Sequence, residues 1–163
     1  VNRVDLPTFG SLELVWCLGN SLNYLLDREE LRAALVGMRR NLATDGLLLF
    51  DLCTLLAFRT FFVETSVRER DDRRLVWTGH AVPSLAPGSI GEATFLVEGD
   101  SGQRLGQTVH RQRHFPAEVA REALESAGLE CIDAFGHHYD GVFKRPLDEA
   151  EHTTAVYIAR IAR

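Results

Sequence analysis

The apolar positions of this chain follow two rhythms, and the change between them divides the sequence. In Leu12–Leu18, Leu47–Leu52, Glu130–Phe135 and Ala155–Ile161 the apolar residues run almost without interruption. Such runs predict strands buried on both faces beneath covering helices. Between the first two, Leu31, Ala34, Leu35, Met38 and Leu42 recur at helical spacing. Asp27 is a good N-cap for that helix, Glu30 is its capping-box partner, and Gly46 is placed to stop the chain before the next strand. A second helix is predicted to start at Pro116, to present Ala120, Ala123, Leu124 and Ala127 on one face, and to end at Gly128. From about Val67 to Phe115 the period shortens to two, with turn signals at Asp71-Asp72, Pro87-Gly88 and Gly99-Asp100-Ser101-Gly102. Val67–Arg70, Leu75–Val82, Ile90–Val97 and Leu105–Phe115 therefore read as antiparallel strands, forming a small sheet over one edge of the main one.

The stretch from Leu12 to Leu52 is strand, polar loop, helix, strand: one βαβ unit of a doubly wound sheet. The predicted fold is α/β, the second half of a Rossmann-like doubly wound sheet with an inserted small antiparallel sheet. Residues 1–163 read as one domain, with 67–115 as the insertion. A unit of this kind normally follows another that carries a glycine-rich turn for a nucleotide. Only eleven residues precede Leu12, and they hold no such turn. Val1 in place of Met points to processing, truncation or residues further upstream, so the domain is expected to be N-terminally incomplete.

Charge and cysteine content narrow the function. The 18 basic and 23 acidic residues are spread along the chain and give a formal charge of −5, which argues against a nucleic-acid surface. Arg68-Glu69-Arg70 and Arg73-Arg74 are broken up by acids and read as a solvated strand edge. Cys17, Cys53 and Cys131 lie far apart, which disfavours a disulfide framework or a zinc site and suggests a reducing, cytoplasmic setting. No signal peptide and no long apolar span points to a membrane. Trp16 and Trp77 read as packing residues.

Two places could carry chemistry. Gly19-Asn20-Ser21-Leu22-Asn23-Tyr24 follows the carboxyl end of a strand, where open α/β sheets bind ligands. Gly19 would let the backbone approach a ligand, Asn20, Ser21 and Asn23 supply donors and acceptors, and Tyr24 adds an aromatic wall. The same loop also reads as an ordinary capped turn using local hydrogen bonds. On Leu105–Phe115, alternation places His110, Gln112 and His114 on one face and Val109, Arg111, Arg113 and Phe115 on the other. His110 is a candidate general base, or simply a hydrogen-bonded strand histidine. His110 and His114 stand about 13 Å apart on an extended strand and cannot chelate one metal together, so no metal is expected. His137-His138-Tyr139-Asp140 lines the same mouth or forms a solvated loop.

The string Leu-Glu-Leu-Val-Trp-Cys-Leu-Gly-Asn-Ser-Leu-Asn-Tyr-Leu (12–25) resembles the fourth strand and following helix of class I S-adenosylmethionine-dependent methyltransferases, in particular the bacterial small-molecule N- and O-methyltransferases. Arg39–Leu52 is similar to that family's passage from helix through Leu-x-Pro-Gly-Gly into the fifth strand. His110–Pro116 and Ala123–Leu129 are similar to its passage from inserted sheet into the last helix. The resemblance implies S-adenosylmethionine as cofactor, with Leu18, Gly19 and Asn20 as contacts and Arg3 beside the adenine site. It also implies a small-molecule methyl acceptor recognised by the insertion, with Asn23, Tyr24, Arg111 and Arg113 as candidate substrate-binding residues. The family's glycine-rich loop and ribose-binding acid are absent here, and Val1 stands where its adenine-reading Asp would be. This polypeptide is therefore expected to bind the cofactor weakly or not at all. A non-catalytic partner subunit, dimerising through an exposed sheet edge, is the alternative. A different activity on the same shell, a cyclase or isomerase, has only fold analogy behind it.

Overall fold

The protein is described here from a computed structural model covering residues 7–138 and 141–163. Two sheets meet at the carboxyl end of the first βαβ unit. The main sheet has the strand order β1 (Leu12–Cys17), β2 (Leu42–Cys53), β9 (Thr154–Ile161), β7 (Leu129–His137), β8 (Phe143–Lys144). β1 runs parallel to β2, while β9 is antiparallel to both of its long neighbours, β2 and β7. The second sheet is an antiparallel meander of β3 (Thr65–Arg70), β4 (Arg73–Gly79), β5 (Ile90–Gly99) and β6 (Arg104–Arg113). The predicted α/β architecture with an inserted antiparallel sheet is what the chain adopts.

The helices follow the predicted punctuation with two differences. α1 (Arg28–Arg39) is capped by Asp27, whose carboxylate accepts from the Glu30 N–H at 2.7 Å. Glu30 reaches back one residue further than a capping box requires and accepts from the Leu26 N–H. The stop is made by Asn41, not Gly46. Asn41 is buried, and its amide donates to the Gly37 carbonyl at 2.9 Å, closing the last turn. Gly46 already lies within β2, where a Cβ would come within 2.7 Å of the Leu12 carbonyl oxygen. It allows β1 to approach β2 across an irregular register. α2 (Leu55–Phe61), N-capped by Thr54, had no clear signal in the sequence because its apolar positions are dominated by one short run. α3 (Ala117–Ser126) forms where expected, with Pro116 as its N-cap and not its first helical residue.

The expectation of strands buried on both faces holds for Phe50–Cys53 of β2 and Thr154–Tyr157 of β9, where every successive residue is buried, and needs correcting for β1 and the start of β2. Leu48, Phe50, Leu52, Tyr157 and Ala159 point toward α1 and α3 and form the principal core with Leu31, Leu35 and Leu124. The opposite face carries Leu14, Trp16 and Leu47, which are 50%, 69% and 39% exposed. Among the described residues α1 and α3 pack against one side of the sheet only. Trp16, expected to be a packing residue, therefore stands in solvent at the outer edge. Trp77 does pack, edge-on against Phe62.

The insertion also sits elsewhere than expected. It lies over the carboxyl ends of β1 and β2 rather than along a sheet edge, held there by a 3₁₀ turn (Ser21–Tyr24) that touches β6. Phe62, just past the end of α2, packs closely against this sheet. Gly79 and Gly91 make room for it, since a Cβ at Gly79 would come within 2.1 Å of the Phe62 carbonyl carbon, and one at Gly91 would strike the Phe62 ring.

Candidate functional site

The polar loop after β1 is built around a buried carboxylate. Gly19 and Asn20 are both left-handed, with φ of 82° and 58°. Two successive left-handed residues turn their N–H groups the same way, and both donate to Asp51: Gly19 at 2.9 Å and Asn20 at 2.7 Å. Asp51 lies near the end of β2, 7% exposed. Burial pushes its carboxyl above the ordinary value, and the Asn20 and Gly19 N–H bonds and the nearby His137 oppose that rise. The glycine is thus needed for backbone conformation, as a Cβ there would meet no atom within 4 Å. Asp51 was overlooked because it sits inside the apolar run Leu47–Leu52, although an acid within such a run is itself a signal.

The loop's side chains divide into two groups. Asn23 is fully buried; its amide donates to the Arg113 carbonyl at 2.8 Å and its oxygen accepts from the Cys53 N–H at 2.9 Å. It staples the main sheet to the insertion and does not face the cavity. Asn20 does face it, and its Oδ1 is a buried acceptor without a hydrogen-bond partner. Leu18 is 45% exposed beside it. Arg3 lies outside the described residues, as do Tyr139 and Asp140.

A cavity of about 650 Å³ opens between this loop and the insertion, lined by Asn20, Cys53, Phe61, Phe62, Trp77 and Phe95 among others. The cross-strand register explains its composition. Ser66 pairs with Trp77, Trp77 with Phe95, and Phe95 with Thr108, so one row of side chains crosses all four strands on one face. Burial pushes the Cys53 thiol up to about 12, with the Asp51 charge adding to it, so it presents a neutral thiol to the cavity.

His110 belongs to that same face. Its Nδ1 lies 2.5 Å from the Tyr24 hydroxyl and its Nε2 lies 3.0 Å from the Thr108 hydroxyl. Its ring sits against Trp77, with centroids 5.2 Å apart, and edge-on to Phe95 and Tyr24. The structure therefore brings Tyr24 and His110 together across 86 positions of sequence. It does not bring Arg111 or Arg113 to them. Arg111 faces away and pairs with Glu92, while Arg113 donates to the Leu26 carbonyl at 2.8 Å. The alternation that separated these arginines from His110 holds in three dimensions. Gln112 joins the cavity lining; His114 is buried beneath it, edge-on to Phe58.

A sheet with a polar loop past its first described strand and an antiparallel insertion over it is the fold of S-adenosylmethionine-dependent methyltransferases over the part this chain spans. The Clostridium acetobutylicum ATCC 824 S-adenosylmethionine-dependent methyltransferase superposes with a TM-score of 0.79 over 98% of this chain and 62% of its own, at 14% identity. The sugar N-methyltransferase KedS8 from Streptoalloteichus sp ATCC 53650 is 26% identical, with a TM-score of 0.61 over 96% of this chain and 60% of its own. A protein of Geobacillus sp. (strain WCH70) named "Putative methyltransferase" is 29% identical over 134 residues, or 81% of this chain. The chain spans 54% of that relative's length. No protein-family model matches. Among the described residues no helix is long and apolar enough to cross a membrane.

Proposed function

We propose that this chain is the carboxyl-terminal part of a cytoplasmic S-adenosylmethionine-dependent methyltransferase acting on a small molecule. The observation that carries the reading is the junction at Asn20. One residue borders both the carboxylate-pinned turn at the end of β1 and the aromatic cavity beneath the insertion. Leu18, Gly19 and Asn20 would form one wall of the cofactor site, and the orphaned Asn20 Oδ1 fits a donor on a bound group. Bound S-adenosylmethionine supplies an electrophilic methyl group. The Gly19 and Asn20 N–H groups are already taken by Asp51, so the grip available from these residues is partial and cofactor binding by this polypeptide is weak.

The chain's own contribution is positioning and proton handling. The cavity excludes water from an acceptor and fixes its direction of approach, which is the main source of acceleration for an in-line displacement. His110 shares the cavity face of the insertion, with its ring nitrogens on the Tyr24 and Thr108 hydroxyls, and would take the proton of an amine or hydroxyl acceptor through one of those hydroxyls. Arg111 and Arg113 remain candidates only for acceptor parts that extend beyond the cavity.

Calorimetric titration of this polypeptide with S-adenosylhomocysteine tests the cofactor half of the proposal. Weak or undetectable heat is expected, and micromolar binding would show that the grip is complete. A second reading, a non-catalytic partner subunit, draws on the exposed apolar edge of β1. Light scattering decides between them: a stable complex that binds acceptor but never transfers methyl favours the partner.

A further inference from the structure

The polar groups that line the cavity fall into two sets. Glu64, Ser66 and Arg68 stand on the exposed edge of the insertion, where water satisfies them. Asn20, Cys53 and Gln112 come from the place where the two sheets meet: just past β1, the last residue of β2 and the end of β6. None of this second set is ionised. Burial keeps the Cys53 thiol protonated, and the other two are amides. Gln112 is the member to which neither the loop wall nor the proton transfer gives a task.

Gln112 is only 7% exposed, and no described residue hydrogen-bonds its side-chain amide. Buried amides ordinarily find partners, and one left unmatched is costly. Its neighbour across the strands is Gly91, which has no side chain to meet it. A Cβ at Gly91 would strike the Phe62 ring, so that slot stays clear and the Gln112 amide gives onto the cavity. The Asn20 Oδ1, from the other wall, is also buried without a partner. An anion placed between them would lose its hydration and face the Asp51 charge. An ammonium group would find both Asp51 oxygens already engaged by the Gly19 and Asn20 N–H groups. A carboxamide suits the place better, because it presents a donor and an acceptor side by side, as the glutamine amide does.

We propose that Gln112 is a specificity-determining residue of the cavity, exchanging paired hydrogen bonds with a neutral carboxamide on the molecule that enters it. This rests on the reading of the cavity as the acceptor site and names the group by which an acceptor is oriented there. The rings of Phe61, Phe62, Trp77 and Phe95 take the apolar remainder. A ligand lacking the carboxamide leaves the buried amide unmatched, which is how such a site rejects it.

The test is an NMR titration of this polypeptide with no methyl donor present. Benzamide, benzoate and benzylamine share a ring and differ only in the polar group. Benzamide is expected to bind about tenfold more tightly than either of the others. In the unaltered chain it should move the side-chain NH2 signals of Gln112, a readout that requires no variant to fold. Gln112→Met keeps the length of the side chain, removes both hydrogen bonds and should erase the advantage of benzamide. The assignment is overturned by absence of benzamide binding, by affinity no greater than that of benzoate or benzylamine, by unmoved Gln112 signals, or by an advantage that survives Gln112→Met. The transferase reading fails separately. A complete enzyme that binds benzamide through Gln112 but transfers no methyl group sinks that reading alone. One that methylates a small molecule while Gln112→Met leaves benzamide binding unchanged sinks only the assignment made here.

Discussion

The two walls of the cavity are built on opposite principles. The loop wall is local: Gly19 and Asn20 reverse the chain within two residues, and a single carboxylate, Asp51, holds the turn. The insertion wall is collective: no short segment defines it, and its face exists only because four strands are in register. A local wall is sensitive to one atom, while a collective wall tolerates change at most positions and fails at its joints. Asn23 is the joint between them, with both ends of its amide committed to backbone groups of different sheets.

That contrast orders the expected effects of substitution. Asn23→Ala strands the buried Cys53 N–H and the Arg113 carbonyl, and should cost about 2–4 kcal/mol. Urea unfolding checks the cost, and faster proteolysis within 65–113 would show that the walls have come apart. An unchanged midpoint would mean that water replaces the amide and that the joint lies elsewhere.

His110→Ala, in a complete enzyme carrying the cofactor, should lower kcat about 10²-fold if the histidine moves the acceptor proton. Tyr24→Phe should cost less, since it removes only the partner of Nδ1. An unaltered rate in both variants would return His110 to a structural role in the aromatic row.

Asp51→Asn probes the local wall. Burial raises the Asp51 pKa, so the folded chain holds that proton more tightly than the unfolded chain does. Its contribution to stability is therefore fully present below the ordinary carboxylate value and declines as pH rises through the raised one. The variant should flatten that decline. It should also lose about 1 kcal/mol, because an amide offers one acceptor oxygen to two N–H groups. Unfolding midpoints across a pH series check both effects, and a slope identical to the parent's would contradict the assignment.

The smallest effect is expected at Trp16. With most of its surface in water, Trp16→Ser should shift stability by no more than about 0.5 kcal/mol. Trp77→Ser should cost about 2 kcal/mol, having lost its contact with Phe62 and the indole N–H donated to the Phe61 carbonyl. Equal losses would mean that something covers Trp16.

The same division explains what the sequence disclosed. α1, α3 and the central strands were legible because caps and apolar periodicity are local signals; Asp27 stands where those signals put it, and Pro116 falls one position short, as a cap. The turn at Gly19–Asn20 was visible as a polar loop at a strand's carboxyl end, but its holder Asp51 lay hidden in an apolar run. The Tyr24–His110 contact spans a separation of 86 positions and could be foreseen only as two separate candidates. The stapling contacts of Asn23 were out of reach for a related reason: a buried staple and a ligand donor have the same composition, and only the position of Cys53 and Arg113 reveals the staple. The exposed face of β1 was misjudged because an apolar run does not specify how many of its faces are covered.

The main sheet has two unlike ends. β8 is only two residues long and carries Lys144, whereas β1 is six residues long and flanked by apolar side chains. So short and charged an end strand is a poor template for another chain. Growth of the sheet is therefore blunted on the β8 side, whatever pairs with β1.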